Sequence, residues 1–257
     1  MSLNRKIPDW LGLRVWVIGA STGIGAATAS QLLALGARVV CSARQRKLLQ
    51  DQFGNHPSAL VAQLDILDHA SVLKVRDQIL AAMGGIDLVL VVAGGYQPMR
   101  ADALDLAEAK KLIDLNLGGV FHCLDAALPV LLKQGSGGIG IVASVAGFRG
   151  LPKAMVYGPT KAALINLCET MYLDLHARAI NVYLINPGFV ATPLTNQNDF
   201  KMPALISADE AAASLIDGIE RGQFHIHFPR RFSNFLRLLR LLPYPLYFWL
   251  IHKVTGL

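Results

Sequence analysis

Two hydrophobic periods alternate along this chain. Short apolar runs rich in Val, Ile and Leu are separated by longer stretches in which apolar positions recur every three or four residues. The runs predict strands over 13–18, 38–41, 59–64, 86–92, 138–143, 180–185 and 223–228. The stretches between them predict helices over 25–35, 45–53, 69–83, 103–115, 117–132, 154–177 and 208–221. Gly36 and the pair Gly84 and Gly85 end the first and third of these. The strand runs lack the polar alternation of a sheet with one wet face, so helices are expected to cover both faces. Strand and helix follow one another almost without exception. The expected fold is α/β: a single doubly wound parallel sheet of about seven strands with right-handed crossovers.

After residue 228 the pattern changes. At 100° per residue Phe232, Phe235, Leu236, Leu238, Leu239 and Leu242 gather on one side, while Ser233, Asn234, Arg237 and Arg240 gather on the other. A basic amphipathic helical extension over 229–257 is therefore read as appended to a domain spanning 1–228. No run in it reaches the roughly 18 apolar residues of a membrane span, and Pro243 and Pro245 interrupt it. The pattern suits a helix lying in a lipid interface with anionic head groups at the arginines, and predicts peripheral membrane contact through 230–251. The alternative is an extension that covers a substrate pocket or a subunit interface.

Composition sharpens this picture. With 257 residues, 53% hydrophobic and 16% charged, the chain is long and apolar enough for one sizeable core. Its net charge of +6 is local. Arg221, Arg230, Arg231, Arg237, Arg240 and Lys253 follow residue 220 with no Asp or Glu among them, which leaves the first 220 residues neutral. An anionic partner is thus expected at the C-terminal end, and nucleic acid is not. Cys41, Cys123 and Cys168 are scattered, with no C-x-x-C pair, which argues against a disulfide framework or zinc cluster and for a reducing compartment. Residues 1–12 carry Arg5 and Lys6 but no apolar core of signal-peptide length. The expectation is a cytoplasmic protein, not secreted, peripheral at the inner face of a membrane. His225 and His227 share one strand face without a third ligand nearby, so no metal site is expected.

The candidate chemistry sits at the ends of the strands. Gly19, Ala20, Ser21, Thr22, Gly23, Ile24 and Gly25 join the first strand to the first helix. Glycines there let the backbone approach a pyrophosphate, and the helix N-terminus offers free N–H groups, so this is a dinucleotide turn of Rossmann type. At the end of the second strand an acid would bind a ribose 2′-OH, and an arginine a 2′-phosphate. Arg44, followed by Arg46 and Lys47, stands there with no acid, which favours NADP over NAD; the alternative is a solvated charge opening the next helix. Asp65 closes the third strand, where it could accept from an adenine amino group or simply cap a helix. Ala93, Gly94 and Gly95 close the fourth and again permit close backbone approach. Tyr157 and Lys161 stand four apart on a predicted helix and so share a face. An ammonium beside a phenol stabilises phenolate, so the Tyr157 pKa is expected to fall. Ser144, thirteen positions upstream at a strand end, can hydrogen-bond a substrate oxygen and hold it against Tyr157.

In these residues and their order the chain resembles the short-chain dehydrogenase/reductase family, over about residues 10–228. The resemblance implies that Ser144, Tyr157 and Lys161 are catalytic and adds Asn116, which in the family holds a water linked to the lysine. It implies that Lys161 binds the nicotinamide ribose and that Pro187, Gly188 and Thr192 border the nicotinamide. It also implies a homodimer or homotetramer formed through the helices over 116–132 and 154–177. Ile18 stands where the family usually has Thr, and Val92 where it usually has Asn; both are bracing positions and bear on cofactor affinity more than on chemistry. Residues 188–207 lie where the family places a mobile substrate lid, with Phe189, Leu194, Phe200, Met202 and Leu205 as an apolar lining.

The function expected from all of this is an NADP-dependent oxidoreductase interconverting a carbonyl and a secondary alcohol, on a lipophilic substrate. The rival readings are a catalytically idle dinucleotide-binding adaptor and a reductase of soluble substrates whose tail serves oligomerisation.

Overall fold

The structure is a computed structural model that describes residues 2–197 and 202–256. Seven strands form one sheet in the order β3-β2-β1-β4-β5-β6-β7, every neighbouring pair parallel. They are β1 (Arg14–Ile18), β2 (Arg38–Ala43), β3 (Ala59–Gln63), β4 (Leu88–Val91), β5 (Gly137–Val142), β6 (Ile180–Pro187) and β7 (His225–Phe228). The helices between them are α1 (Gly23–Ala34), α2 (Arg46–Phe53), α3 (His69–Met83), α4 (Leu106–Ile113), α5 (Gly119–Gln134), α6 (Tyr157–Leu175) and α7 (Ala208–Glu220). The expected doubly wound parallel sheet is what the chain forms.

Successive strand residues point to opposite faces, and both faces are dry. Trp16 and Ile18 join a cluster with Val72, Ile79, Leu124 and Leu164 under α3, α5 and α6. Val15 and Val17 join the opposite cluster with Leu32, Phe53 and Leu215 under α1, α2 and α7. Each fully buried Val or Leu contributes about 1.5–3 kcal/mol relative to exposure. This explains why the strand runs read as continuous apolar segments. β6 runs two residues past its predicted end because its ladder with β7 continues to Pro187–Phe228 after β5 has stopped at Val142.

The predicted break between helices at residue 116 is not a break. Asp114–Gly118 forms a π turn that keeps α4 and α5 continuous, and Asn116 is 1% exposed within it. By length and composition alone the stretch Leu106–Gln134 could cross a membrane. Here Val120, Cys123, Leu124 and Leu131 are packed into the core instead.

The tail departs from its predicted wheel. It is two helices, α8 (Arg230–Leu239) and α9 (Tyr244–Thr255), because Pro243 ends the first and caps the second. Ser233, expected on the wet side, is fully buried, while Phe235 and Leu238, expected on the apolar side with the core, are exposed. Ser233 is tolerated inside because its hydroxyl donates to the Pro229 carbonyl at 2.9 Å and accepts from His227 Nδ1 at 2.7 Å. The stripe that faces the body is Phe232, Leu236 and Leu239.

Candidate active site

All of the strand ends named in the sequence meet at one edge of the sheet. β1 and β4 are neighbours although five elements of chain separate them, so the strand order reverses there and a crevice opens at their C-terminal ends. A cleft of about 480 Å³ occupies it. Gly19, Ser21, Thr22, Gly23, Ile24, Gly25, Arg44, Asp65, Ala93 and Gly94 line one part; Ser144, Tyr157, Lys161, Pro187, Gly188 and Thr192 line the other. Of the expected site residues only Asn116 lies behind the wall. Leu194 of the expected lid lines the cleft too. Phe200 lies outside the described residues.

The α1 end of the cleft is built for an anion. Side chains cap α3 (Asp68), α4 (Asp105) and α7 (Ser207, in a capping box with Glu210). α1 has no such cap: Thr22 makes no side-chain hydrogen bond to it, and no acid stands in its first turn. Its backbone is also bare. A Cβ on Gly25 would overlap the Gly19 carbonyl, and a Cβ on Gly19 would sit 2.6 Å from Ala93 N. An uncapped N-terminus beside side-chain-free backbone fits the pyrophosphate of a dinucleotide. Arg44 is exposed at the rim, and among the described residues no ion pair engages it. Asp65 accepts from Leu67 N at 3.0 Å and faces the cleft; the α3 cap is Asp68, not Asp65.

At the other end α6 begins at Tyr157, so the whole Tyr157-to-Lys161 spacing falls in its first turn. Pro159 is at home there, where no intrahelical N–H partner is needed. Lys161 Nζ lies 5.7 Å from the Tyr157 ring centre and donates to the Val142 carbonyl at 2.9 Å. The expected fall in the Tyr157 pKa does not occur. Burial, the largest cause, pushes the phenol up to about 12, against the lowering effect of its hydrogen bond to Ser144. The same burial brings the Lys161 ammonium down to about 8. Spacing gave the adjacency, but desolvation outweighs the neighbouring charge.

Ser144 leaves β5 in extended conformation and starts a short 3-10 turn, Val145–Gly147. Gly147 lets that turn lie on α6: a Cβ there would come within 2.7 Å of the Lys161 carbonyl carbon and 2.8 Å of Ala162 N. Asn116 accepts from Gly95 N at 2.7 Å and donates to Gly95 O at 3.0 Å and to Thr160 Oγ1 at 3.3 Å. It ties the β4 loop to α6.

Two contributors escaped the sequence reading. Asn186, fully buried, accepts from the Ser144 backbone N–H at 3.1 Å and pairs with His225 Nε2 at 2.8 Å. A polar residue ending a buried apolar run was the available signal. Arg149, just beyond the Ser144 turn, binds the carbonyls of Leu239 and Leu242 and so fastens the tail to this loop; its sequence carries no comparable mark.

Comparison with known proteins bears on this arrangement. Residues 14–202 match the family described as short chain dehydrogenase. An uncharacterized oxidoreductase of Myxococcus xanthus is 33% identical over 235 residues, 90% of this chain and 93% of the relative. A 3-oxoacyl-[acyl-carrier-protein] reductase of Synechocystis sp. is 34% identical over 184 residues, 70% of this chain and 74% of the relative. The crystal structure of a short-chain dehydrogenase from Streptomyces avermitilis superposes with a TM-score of 0.80 at 22% identity, covering 95% of this chain and 98% of that one, which is a likeness of fold.

Proposed function

The chain belongs to the short-chain dehydrogenase family of oxidoreductases, which use nicotinamide dinucleotides, and from that premise we propose that it reduces the carbonyl of a lipophilic substrate to a secondary alcohol, reversibly, with NADPH. The observation that carries the reading is the convergence of Ser144, Tyr157 and Lys161 on the same cleft as the uncapped N-terminus of α1.

The dinucleotide, when bound, supplies the hydride. Everything else falls to the chain. The glycine turn and the first turn of α1 hold the pyrophosphate, and Arg44 at the rim takes the 2′-phosphate that distinguishes NADP. Asp65 stands at the adenine end. Pro187, Gly188 and Thr192 border the nicotinamide end. Ser144 donates to the substrate oxygen and fixes it in reach of Tyr157. With its pKa held up at about 12, Tyr157 is a neutral phenol near pH 7, the state required to give a proton to a developing alkoxide. Lys161, ordinarily protonated below its pKa of about 8, is placed to hold the ribose and to stabilise the phenolate left behind. Asn116 positions the backbone beside Lys161. Leu115, Val190 and Leu194 give the substrate end an apolar lining, which supports a lipophilic carbonyl. The name of the Synechocystis relative supplies one such class, a 3-oxoacyl chain.

The test is a carbonyl panel of sterol, retinoid, long-chain 3-keto and small soluble compounds assayed with both cofactors, alongside Tyr157→Phe. Turnover on at least one lipophilic carbonyl is expected, and the variant should lose it by about 10³-fold or more while binding NADPH nearly as the parent does. Retention of more than roughly a tenth of kcat would remove Tyr157 from the proton transfer.

A further inference from the structure

α8 and α9 are fastened to the body along one side only. Leu239 and Tyr247 are buried, and Phe232 packs beside Gly188 and the Phe189 ring. Arg149 closes the joint. Its Nη1 donates to the Leu239 carbonyl at 2.6 Å and the Leu242 carbonyl at 2.7 Å, and its guanidinium lies 3.9 Å over the Tyr247 ring centre. Tyr247 in turn donates to the Gly150 carbonyl at 2.6 Å.

The opposite side remains apolar. Phe235, Leu238, Leu241, Tyr244, Phe248 and Trp249 are between 51% and 80% exposed. At the 100° step of a helix, Arg231 projects between Phe235 and Leu238, and on α9 the Lys253 ammonium lies 5.1 Å from the Trp249 ring centre, whereas Arg237 turns back to His227. Since α8 already buries Phe232, Leu236 and Leu239 against the body, this second stripe is not needed for folding.

We propose that the outer face of α8 and α9 is a docking surface for an anionic lipid bilayer. The charges choose this occupant. No Asp or Glu lies anywhere in 221–257, so the apolar face is framed by cations alone. A two-fold pairing of the face with a second copy would set Arg231 and Lys253 among cations of their own kind with no carboxylate from 221–257 to neutralise them. Anionic head groups neutralise them, and the apolar rings enter the acyl boundary, the geometry of a helix lying in the interface plane. Tyr and Trp side chains favour that level of the bilayer. Because Arg149 and Phe232 join the tail to the turn after Ser144 and to Gly188, docking also brings the substrate end of the cleft to the lipid. The proposal goes beyond the hydride-transfer reading and does not rest on it.

The chain carries its own reporter. Of its three tryptophans, Trp10 and Trp16 are buried at 2% and 0% exposure, and Trp249 is 57% exposed. The full-length protein is mixed with phosphatidylcholine vesicles with or without roughly one-third phosphatidylglycerol, at low and high salt. Co-sedimentation with the anionic vesicles, a blue shift of emission and its quenching by brominated lipid are expected, with binding lost at high salt. Arg231→Glu with Lys253→Glu should weaken partitioning by about ten-fold or more, and Phe235→Asp with Leu238→Asp by a similar factor, while both variants melt as the parent does. Protein that stays in the supernatant with unchanged emission overturns the proposal. So does binding indifferent to salt and to the charge changes, or a solution dimer that Phe235→Asp dissociates, which would assign the face to a second copy.

Discussion

The Asn186 side chain receives the backbone N–H of Ser144 at 3.1 Å, across the β5–β6 register. Its amide then donates to His225 Nε2 at 2.8 Å. Ser144 is therefore set by a side chain from the neighbouring strand, not only by its own turn. Asn186→Leu removes the acceptor and leaves a buried N–H unpaired. It should destabilise the fold by about 1–3 kcal/mol and lower kcat by roughly ten-fold with a smaller effect on NADPH affinity. Thermal melts, steady-state kinetics and cofactor titration check this; an unchanged kcat would show that the Ser144 hydroxyl finds its place without Asn186.

Arg44 follows β2 at the rim of the cleft, where we propose that it meets the ribose 2′ group. Arg44→Asp exchanges an attraction for a repulsion toward a 2′-phosphate and offers an acceptor to a 2′-OH. NADPH affinity should fall by about 10–100-fold, and NADH affinity should hold or rise. Titration of both cofactors against both proteins decides it. A parent that prefers NADH would refute the assignment of Arg44 whatever the variant does.

The strands and the cleft were legible because both depend on local rules. Runs such as 88–92 stay apolar throughout because both faces of β4 are covered, and the glycines between β1 and α1 mark a backbone that must approach a partner closely. What escaped depends on distant packing. The pattern predicts a break between helices at residue 116, yet the chain runs through it in a π turn, Asp114–Gly118, whose register buries Asn116 against Gly95 and Thr160. α8 carries two apolar stripes, and periodicity cannot tell which faces the body; His227 and the Pro229 carbonyl decide it by satisfying Ser233. The Tyr157 pKa escaped for the same reason, since the four-residue spacing announces the ammonium but not the burial that outweighs it.

Gly147 holds the Ser144 turn against the backbone of α6 with an ordinary, negative-side conformation, so its role is contact and not conformational freedom. Gly147→Ala would drive a methyl into Lys161 and Ala162 backbone atoms that cannot rotate away. The turn and α6 must part. A stability loss of about 1–3 kcal/mol is expected from overpacking, with a fall in kcat of more than roughly ten-fold because Ser144 moves relative to Tyr157. A variant with parental melting and turnover would mean that the two elements can slide without consequence.

Acid should destabilise the junction of β7 and α8 through its two histidines. His225 Nε2 accepts from the Asn186 amide, and the hydrogen on Ser233 goes to Pro229, so His227 Nδ1 donates to Ser233 while its Nε2 accepts from Arg237 at 3.2 Å. Both rings are thus built in as neutral imidazoles. Burial first, then the other ring and Arg237 and Arg240, lowers His225 to about 3. Burial, then Arg237 and Arg230, lowers His227 to about 4. From the ordinary value near 6.5 down to those values the unfolded chain binds protons that the folded chain refuses, so stability must fall as pH falls through that window and level off below it. The melting temperature should therefore drop by several degrees between about pH 7 and 4.5. His225→Gln combined with His227→Gln keeps hydrogen-bonding capacity without the titration and should flatten that slope, even at some cost in stability at neutral pH. Melts of both proteins across the window test it. An equally steep slope in the double variant would place the acid sensitivity in the carboxylates instead.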